Sequence, residues 1–361
     1  MLLNPLRKKS YVGIDIGHKT INLVQIERGG QGWRIVRSAT LLTPEDSVKD
    51  GVVTDTDAVG LTIKAGLRDA RISANAAICA VSGGSVIVRT VRVPKMNDLM
   101  LRKSIKYEAG RYVPSSPEDS YIEFDILGDA GENQMDVLMV AAPREMVNSR
   151  VEAIRKSGME VDVVDVEAFA MYRALVEAAD GAVLQQMTVA LVDVGGATTT
   201  VSVVSRGVCV LTRTIPQAGH TMTEALKSFF KISDLDAENG KAQMDLRPLI
   251  GTEVLENQPL RVIQPHVDDL IREIRRSLNY YQSQQTEAGA PNPVTHLVLS
   301  GGGAKLKGLG EYMAHKLGVE VATVGVLDNP KFQYFGNEEI GNGMDISVAS
   351  GLAMRCHLKS A

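Results

Sequence analysis

Ile14-Asp15-Ile16-Gly17-His18-Lys19-Thr20-Ile21-Asn22-Leu23-Val24-Gln25-Ile26 aligns without a gap on Val192-Asp193-Val194-Gly195-Gly196-Ala197-Thr198-Thr199-Thr200-Val201-Ser202-Val203-Val204. The exits agree as well: Arg28-Gly29 falls opposite Arg206-Gly207, and each copy runs on into β-rich sequence, Trp33 to Leu42 and Val208 to Ile215. Each copy therefore reads as strand, glycine turn, strand and further strand. Alternation of Val201 and Val203 with Thr200 and Ser202 gives the second strand two distinct faces. An internal echo of this kind describes a fold assembled from two related halves, which meet near residue 180.

Outside the echo, helical stretches carry their own punctuation. Asn97 is placed to cap a helix that ends at Gly110, and Pro143 opens one that ends at Gly158. Val267, Leu270, Ile271, Ile274, Leu278 and Tyr281 line one face of a helix over 264–282. Strands and helices alternate through most of the chain, so the class is mixed α/β. Loops are expected at Pro114 to Pro117 and at Glu287 to Pro293.

Composition removes several function classes. The 361 residues are 44% hydrophobic and 23% charged, the balance of a globular chain of two or three domains. Lys and Arg number 39 against 43 Asp and Glu, and aromatic residues are 4%, so the chain lacks the basic footprint and stacking platforms of a nucleic-acid binder. Cys79, Cys209 and Cys356 stand far apart, with neither a disulfide framework nor a thiolate metal site. The histidines at 18, 220, 266, 296, 315 and 357 form no short metal-ligand spacing. Met1 to Ser10 lacks the apolar core of a signal peptide, and no run approaches the roughly 18–20 apolar residues of a membrane span. A cytoplasmic protein with indirect membrane contact is expected.

The glycine turns suit phosphate. Glycine at a tight hairpin lets backbone N–H groups approach an anion without a Cβ in the way. Gly17, Lys19 and Thr20 are the candidate phosphate contacts in the first copy, and Gly195, Gly196, Ala197, Thr198 and Thr199 in the second. The hydroxyls of Thr20, Thr198 and Thr199 are the side-chain donors. Asp15 and Asp193, at the ends of the preceding strands, are candidates to hold magnesium through water. Ordinary hairpins with turn-capping aspartates use the same residues. The duplication favours phosphate, and so does a third element: the apolar strand Leu297-Val298-Leu299-Ser300 runs into Gly301-Gly302-Gly303-Ala304-Lys305-Leu306. That bare backbone suits a flat base and ribose, and two hairpins facing each other would clamp the β- and γ-phosphates. A P-loop is excluded because only three residues separate Gly13 from Gly17 and His18 precedes Lys19-Thr20. Gly301 to Leu306 lacks the last glycine of the dinucleotide fingerprint.

These elements, in this order, resemble the actin-like ATPase superfamily, which includes actin, MreB, FtsA, chaperone ATPases and sugar kinases. The resemblance implies an α/β, actin-like ATPase fold of two duplicated RNase H-like halves with an FtsA/PilM-type 1C insertion, binding ATP or ADP with magnesium. Val166-Glu167-Ala168-Phe169-Ala170 resembles the first connecting helix, where Glu167 would position a hydrolytic water; a glutamate there also complements a helix start. Ala237-Glu238-Asn239-Gly240-Lys241 resembles the AExxK helix, with Glu238 and Lys241 on ribose or adenine, or else forming a solvated charge pair. Ser347 to Arg355 resembles the second connecting helix. The expected boundaries are 1–84, an insertion over 85–165, a connecting helix over 166–185, a second half over 186–345 and a final helix over 346–361. Related sequences commonly carry lysine where Asn22 stands, and Lys19 would supply that charge here.

Within the superfamily, Glu108-Ala109-Gly110-Arg111-Tyr112-Val113-Pro114 followed by Phe124-Asp125 is similar to the insertion of the PilM family, cytoplasmic adaptors of type IV pilus machines. FtsA proteins share the insertion but end in an amphipathic membrane-binding helix; Cys356 to Ala361 is not expected to form one, an expectation that favours the PilM family. The resemblance implies an ATP-binding adaptor that binds the N-terminal cytoplasmic tail of PilN and links it to pilus platform and motor proteins. It would be peripheral at the inner membrane, at most a slow ATPase, with a homo-oligomer compatible. The alternatives on the same fold are an FtsA- or MreB-like filament and a small-molecule kinase.

Overall fold

The computed structural model describes residues 9–30, 32–113, 116–178, 187–251, 257–287, 293–336 and 339–357. The expected joint near residue 180, the loop tips at Pro114 and 288–292, and the chain beyond His357 lie outside these residues. The chain divides into two units, one of Met1–Val81, Met146–Ala179 and Val326–Ala361, the other of Ser82–Glu145 and Asp180–Gly325.

The first unit begins with β1 (Tyr11–Ile16), β2 (Thr20–Gly29), β3 (Gly32–Leu42), the short pair β4 (Val48–Lys49) and β5 (Val52–Val53), α1 (Thr56–Asp69) and β6 (Ala76–Val81). The chain then enters the second unit for β7 (Ile87–Pro94), α2 (Asp98–Ala109), β8 (Ser120–Asp129) and β9 (Gln134–Pro143). It returns to the first through α3 (Arg144–Lys156), β10 (Glu160–Val166) and α4 (Glu167–Tyr172). The second unit continues with β11 (Thr188–Val194), β12 (Thr199–Ser205), β13 (Val208–Ile215), α5 (Gly219–Phe230), α6 (Asp234–Ala242), α7 (Gln258–Glu287), β14 (His296–Ser300), α8 (Leu309–Leu317) and β15 (Glu320–Thr323). β16 (Phe332–Tyr334) and α9 (Ser347–Met354) complete the first.

The first unit's sheet has the order β10-β6-β1-β2-β3-β16, and the second's β15-β14-β11-β12-β13-β7-β9-β8. In each, the strand leading into a glycine turn pairs antiparallel with the strand leaving it and parallel with a later strand, β6 in one unit and β14 in the other. The registers agree: Asp15 faces Asn22 as Asp193 faces Thr200. The sequence echo is thus a structural duplication.

Near-continuous burial of β1, β2 and β6 reflects a sheet covered on both faces. Ile14, Ile16, Ile21 and Leu23 pack with Val59, Ile63 and Leu67 of α1. On α9, a Cβ placed at Gly13 would overlap the carbonyl oxygen of Ala349, so helix and strand meet at backbone distance. In the second unit, Leu101, Ile105 and Ala109 of α2 pack on Val91, Val93, Met135, Val137 and Met139, a separate small core. Asn97 Oδ1 accepts from Met100 N–H at 2.9 Å, the cap its sequence position indicated.

Boundaries differ from those suggested by the sequence. α3 and β10 were grouped with the insertion, yet Ala153 and Ile154 enter the first unit's core and β10 pairs with β6 from Glu160–Ala76 to Val166–Val81. The rest of the insertion groups with the second unit. β16 pairs with Trp33 to Ile35, ahead of the expected division at 346. Strand partners far away in the chain determine these memberships. α7 also exceeds its expected span, continuing through Pro265 as one helix. Among the described residues, no helix is long and apolar enough to cross a membrane.

Candidate functional site

Both glycine turns close with the same bond: Gly17 N–H donates to Thr20 O at 2.9 Å and Gly195 N–H to Thr198 O at 3.0 Å. A Cβ would lie 2.8 Å from the Thr20 oxygen at the first position and 2.9 Å from the Thr198 oxygen at the second. Close approach, rather than dihedral angle, therefore demands glycine at both. Thr43 pins the first turn, its N–H donating to Lys19 O at 3.0 Å and its Oγ1 to Gly17 O at 2.8 Å. His18 is exposed at the tip, while Lys19 and Thr20 are half-buried. Asn22 is buried, its Nδ2 donating to Asp15 Oδ2 at 3.5 Å and its Oδ1 accepting from Thr40 Oγ1 at 2.9 Å.

Burial is the main influence on the Asp15 carboxyl, which is pushed up to about 7; the Glu167 carboxylate raises it further, and Arg150 and Asn22 act against both. Glu167 opens α4, where no side chain caps the helix, and the fold brings it within electrostatic reach of Asp15. Asp15 and Glu167 each offer carboxylate oxygens, the donor type that a hard divalent cation such as magnesium takes. The sequence reading did not single out Arg150. It is buried, with Nη1 donating to Ile16 O and Nε to Gly51 O, each at 3.0 Å. A signal was present: Arg150 occupies the same stripe of α3 as Met146, Ala153 and Ile154, all buried.

In the second unit, three glycine backbones converge. Gly301 has φ +92°, and a Cβ there would run into the Asp193 carboxylate and lie 2.7 Å from Val194 O. At Gly303, a Cβ would lie 2.9 Å from Val194 O and 3.1 Å from Gly195 O. Gly219 opens α5, donating to Gly195 O at 3.3 Å, while His220 N–H reaches Gly196 O at 2.8 Å. A Cβ at Gly219 would lie 3.5 Å from Gly195 O and 3.9 Å from the Gly303 Cα. Side chains at Gly301 and Gly303 would collide with Asp193, Val194 and Gly195, so the glycine backbone packs directly on the end of β11 and leaves a turn without side chains, which would suit a nucleotide. Ala197 is half-buried, and Thr198, Gly302 and Lys305 are exposed.

Other candidates take different places. Thr199 is fully buried and its hydroxyl donates to Gln217 O at 2.7 Å, which corrects its expected role as a phosphate donor. Lys241 Nζ donates to Gly219 O at 3.1 Å and Thr223 Oγ1 at 2.7 Å and pairs with Glu238 Oε2 at 2.8 Å. Two of its hydrogens thereby fasten α6 to the start of α5, and the third stays within α6 on Glu238. Glu238 also meets Thr223 Oγ1 at 2.7 Å. Neither Thr223 nor Gly219 was picked out from the sequence. His220, Glu224 and Asp234 bring ligand atoms within 4.8 Å of one another. The Lys227 ammonium, 3.1 Å from Glu224 and 3.9 Å from Asp234, supplies a cation there. Burial pushes the Cys79 thiol up to about 12 and Cys209 to about 11, in keeping with unreactive core cysteines.

A family model described as type IV pilus assembly protein PilM matches residues 13–357. The cell division protein FtsA of Streptococcus pneumoniae serotype 2 (strain D39) is 20% identical over 356 residues, covering 87% of this chain and 75% of that protein. FtsA of Escherichia coli strain K12 is 26% identical over 195 residues, 49% of this chain and 45% of that protein. Among solved structures, a PilM-PilN type IV pilus biogenesis complex matches with a TM-score of 0.81 and 27% identity over 96% of this chain and 98% of that one. MreB5 of Spiroplasma citri bound to AMPPNP matches with a TM-score of 0.51 and 12% identity, over 88% and 92% of the two chains, a likeness of fold. The fold is that of the actin-like ATPases.

Proposed function

Because this chain belongs to the type IV pilus assembly protein PilM family, we propose that it is an ATP-binding, actin-like adaptor that binds the N-terminal cytoplasmic tail of PilN and links it to pilus motor components. The likeness to a PilM-PilN complex over 96% of the chain carries this reading. Partner binding would hold the protein at the inner membrane.

Nucleotide binding, as ATP or ADP, is supported by the duplicated hairpins and the cradle of Gly195, Gly219 and Gly303. Lys19, Thr20 and Thr198 donate to phosphate, and Gly301 to Gly303 keep side chains away from the nucleoside. Gly196, Ala197 and Lys305 flank these contacts. Asp15 in the first unit and Asp193 in the second would each be available to magnesium through water, and Glu167 would orient a water. Magnesium, when bound, supplies positive charge to the phosphate oxygens. Lys241 and Glu238 act by fixing α5 beneath the cradle. Backbone donors and charge would provide the stabilisation, without a covalent nucleophile, in a protein that is at most a slow ATPase.

Calorimetric titration with a synthetic PilN-type tail, with and without Mg-ATP and repeated on Asp193→Ala, tests the reading. Saturable tail binding that depends on nucleotide is expected. Tail binding indifferent to nucleotide would leave a plain adaptor, and its absence despite intact ATP binding would overturn the adaptor. The FtsA relatives favour a second reading as a filament former. Sedimentable polymers that require ATP would support it.

A further inference from the structure

Arg150 heads the fully buried side chains at 2% exposure, on a helix face otherwise apolar. Packing alone would be served by methionine or leucine, without the cost of taking a guanidinium out of water. Its two hydrogen bonds go to neutral carbonyls rather than to a carboxylate. One acceptor, Ile16 O, belongs to the residue directly before Gly17, whose N–H closes the first glycine turn. The other, Gly51 O, lies in the turn joining β4 to β5, where Asp50 and Gly51 have φ +49° and +82°. The guanidinium thus ties a neighbouring two-residue Asp-Gly turn to the base of the hairpin. Its charge acts on Asp15, on which Glu167 acts with the opposite sign.

We propose that Arg150 is a positioning residue of the first hairpin: it fixes the hairpin base through Ile16 O, and its charge offsets Asp15 and Glu167 so that the turn accepts anionic phosphate beside a divalent cation. This rests on the nucleotide reading above. At about pH 9, where Asp15 is ionised, two carboxylates and one guanidinium carry a net charge of about −1, and without the guanidinium about −2, which attracts a bare cation more strongly and repels phosphate.

Full-length Arg150→Met, with its fold checked by circular dichroism, is titrated at that pH with Mn²⁺ alone and separately with ATP in EDTA. Mn²⁺ affinity is expected to rise about fivefold while metal-free ATP affinity falls about tenfold. Arg150→Lys keeps the charge without the two-carbonyl reach, and its Mn²⁺ affinity should stay within about twofold of wild type. A purely structural role would weaken both ligands together, in both variants, and overturn the proposal. Should Arg150→Met not fold, Glu167→Gln supplies the reciprocal arm: Mn²⁺ weaker, metal-free ATP tighter, with movement in the same direction overturning it. Failure of the wild-type chain to bind ATP at all sinks the nucleotide reading, whereas Mn²⁺ affinity unmoved by Arg150→Met sinks this one.

Discussion

Gly351 of α9 meets Ala170 of α4 at backbone distance: a Cβ on Gly351 would overlap the Ala170 carbonyl oxygen. The two helices can cross there only while position 351 carries hydrogen. A methyl group has no flexible side chain to displace, only main chain. Gly351→Ala should therefore destabilise the protein by about 3 kcal/mol in urea denaturation. Gly240→Ala is the contrast, because that position lies inside α6 with nothing within 4 Å of an added Cβ. It should stabilise by about 1 kcal/mol.

Asp165 is buried between two arginines. Its Oδ2 lies 3.1 Å from Arg173 Nη2 and 2.9 Å from Arg355 Nη1, and Arg173 Nη1 also donates to Gly351 O at 2.7 Å. Asp165→Asn would strand the buried Arg173 charge and should cost about 3 kcal/mol. Arg355, whose side chain is 43% exposed, keeps solvent access. Arg355→Met should cost about 1 kcal/mol, and similar losses in the two variants would refute the asymmetry.

Adjacent threonines of the second hairpin should separate stability from binding. Thr199→Val removes the bond to Gln217 O and should cost about 1 kcal/mol while leaving nucleotide affinity within about twofold. Thr198 is exposed at the turn, and Thr198→Ala should weaken nucleotide binding several-fold with stability unchanged. Fluorescent-nucleotide titration beside thermal denaturation distinguishes them.

Asp15 gives the apo protein a pH dependence. Its folded pKa stands near 7, above the ordinary 3.8, so the folded state binds the proton more tightly than the unfolded state. Stability therefore falls as pH rises from about 4 through 7, and the penalty is complete above that window. Asp15→Asn should stabilise the metal-free protein by about 2 kcal/mol at pH 8 and scarcely at pH 4. An equal gain at both pH values would contradict the assignment. The same variant should lose affinity for magnesium nucleotide.

The local elements were legible because their signals are local. Asn97 and Gly110 bracket α2, Pro143 and Gly158 bracket α3, and the period of Val267 to Tyr281 describes the buried face of α7. Glu167 and Asp15 carried a readable clue in their motifs, although their proximity did not. Lys241 and Glu238 read first as ribose or adenine contacts, with a solvated pair as the alternative. The structure gives Lys241 a third place, beneath Gly219, because Thr223 and the Gly219 carbonyl come from a different helix.

By itself the sequence determined the duplication and the two glycine turns. A hairpin bond spans three residues, and strand alternation repeats every two, so both are written within a dozen positions. Only the tertiary structure decided which charges lie inside. Arg150 reaches Ile16 across 134 positions, Arg355 reaches Asp165 across 190, and Thr199 turns its hydroxyl inward to Gln217. A side chain's charge is visible in the chain, but the desolvation and partners that give it a role come from segments the chain brings back from far away.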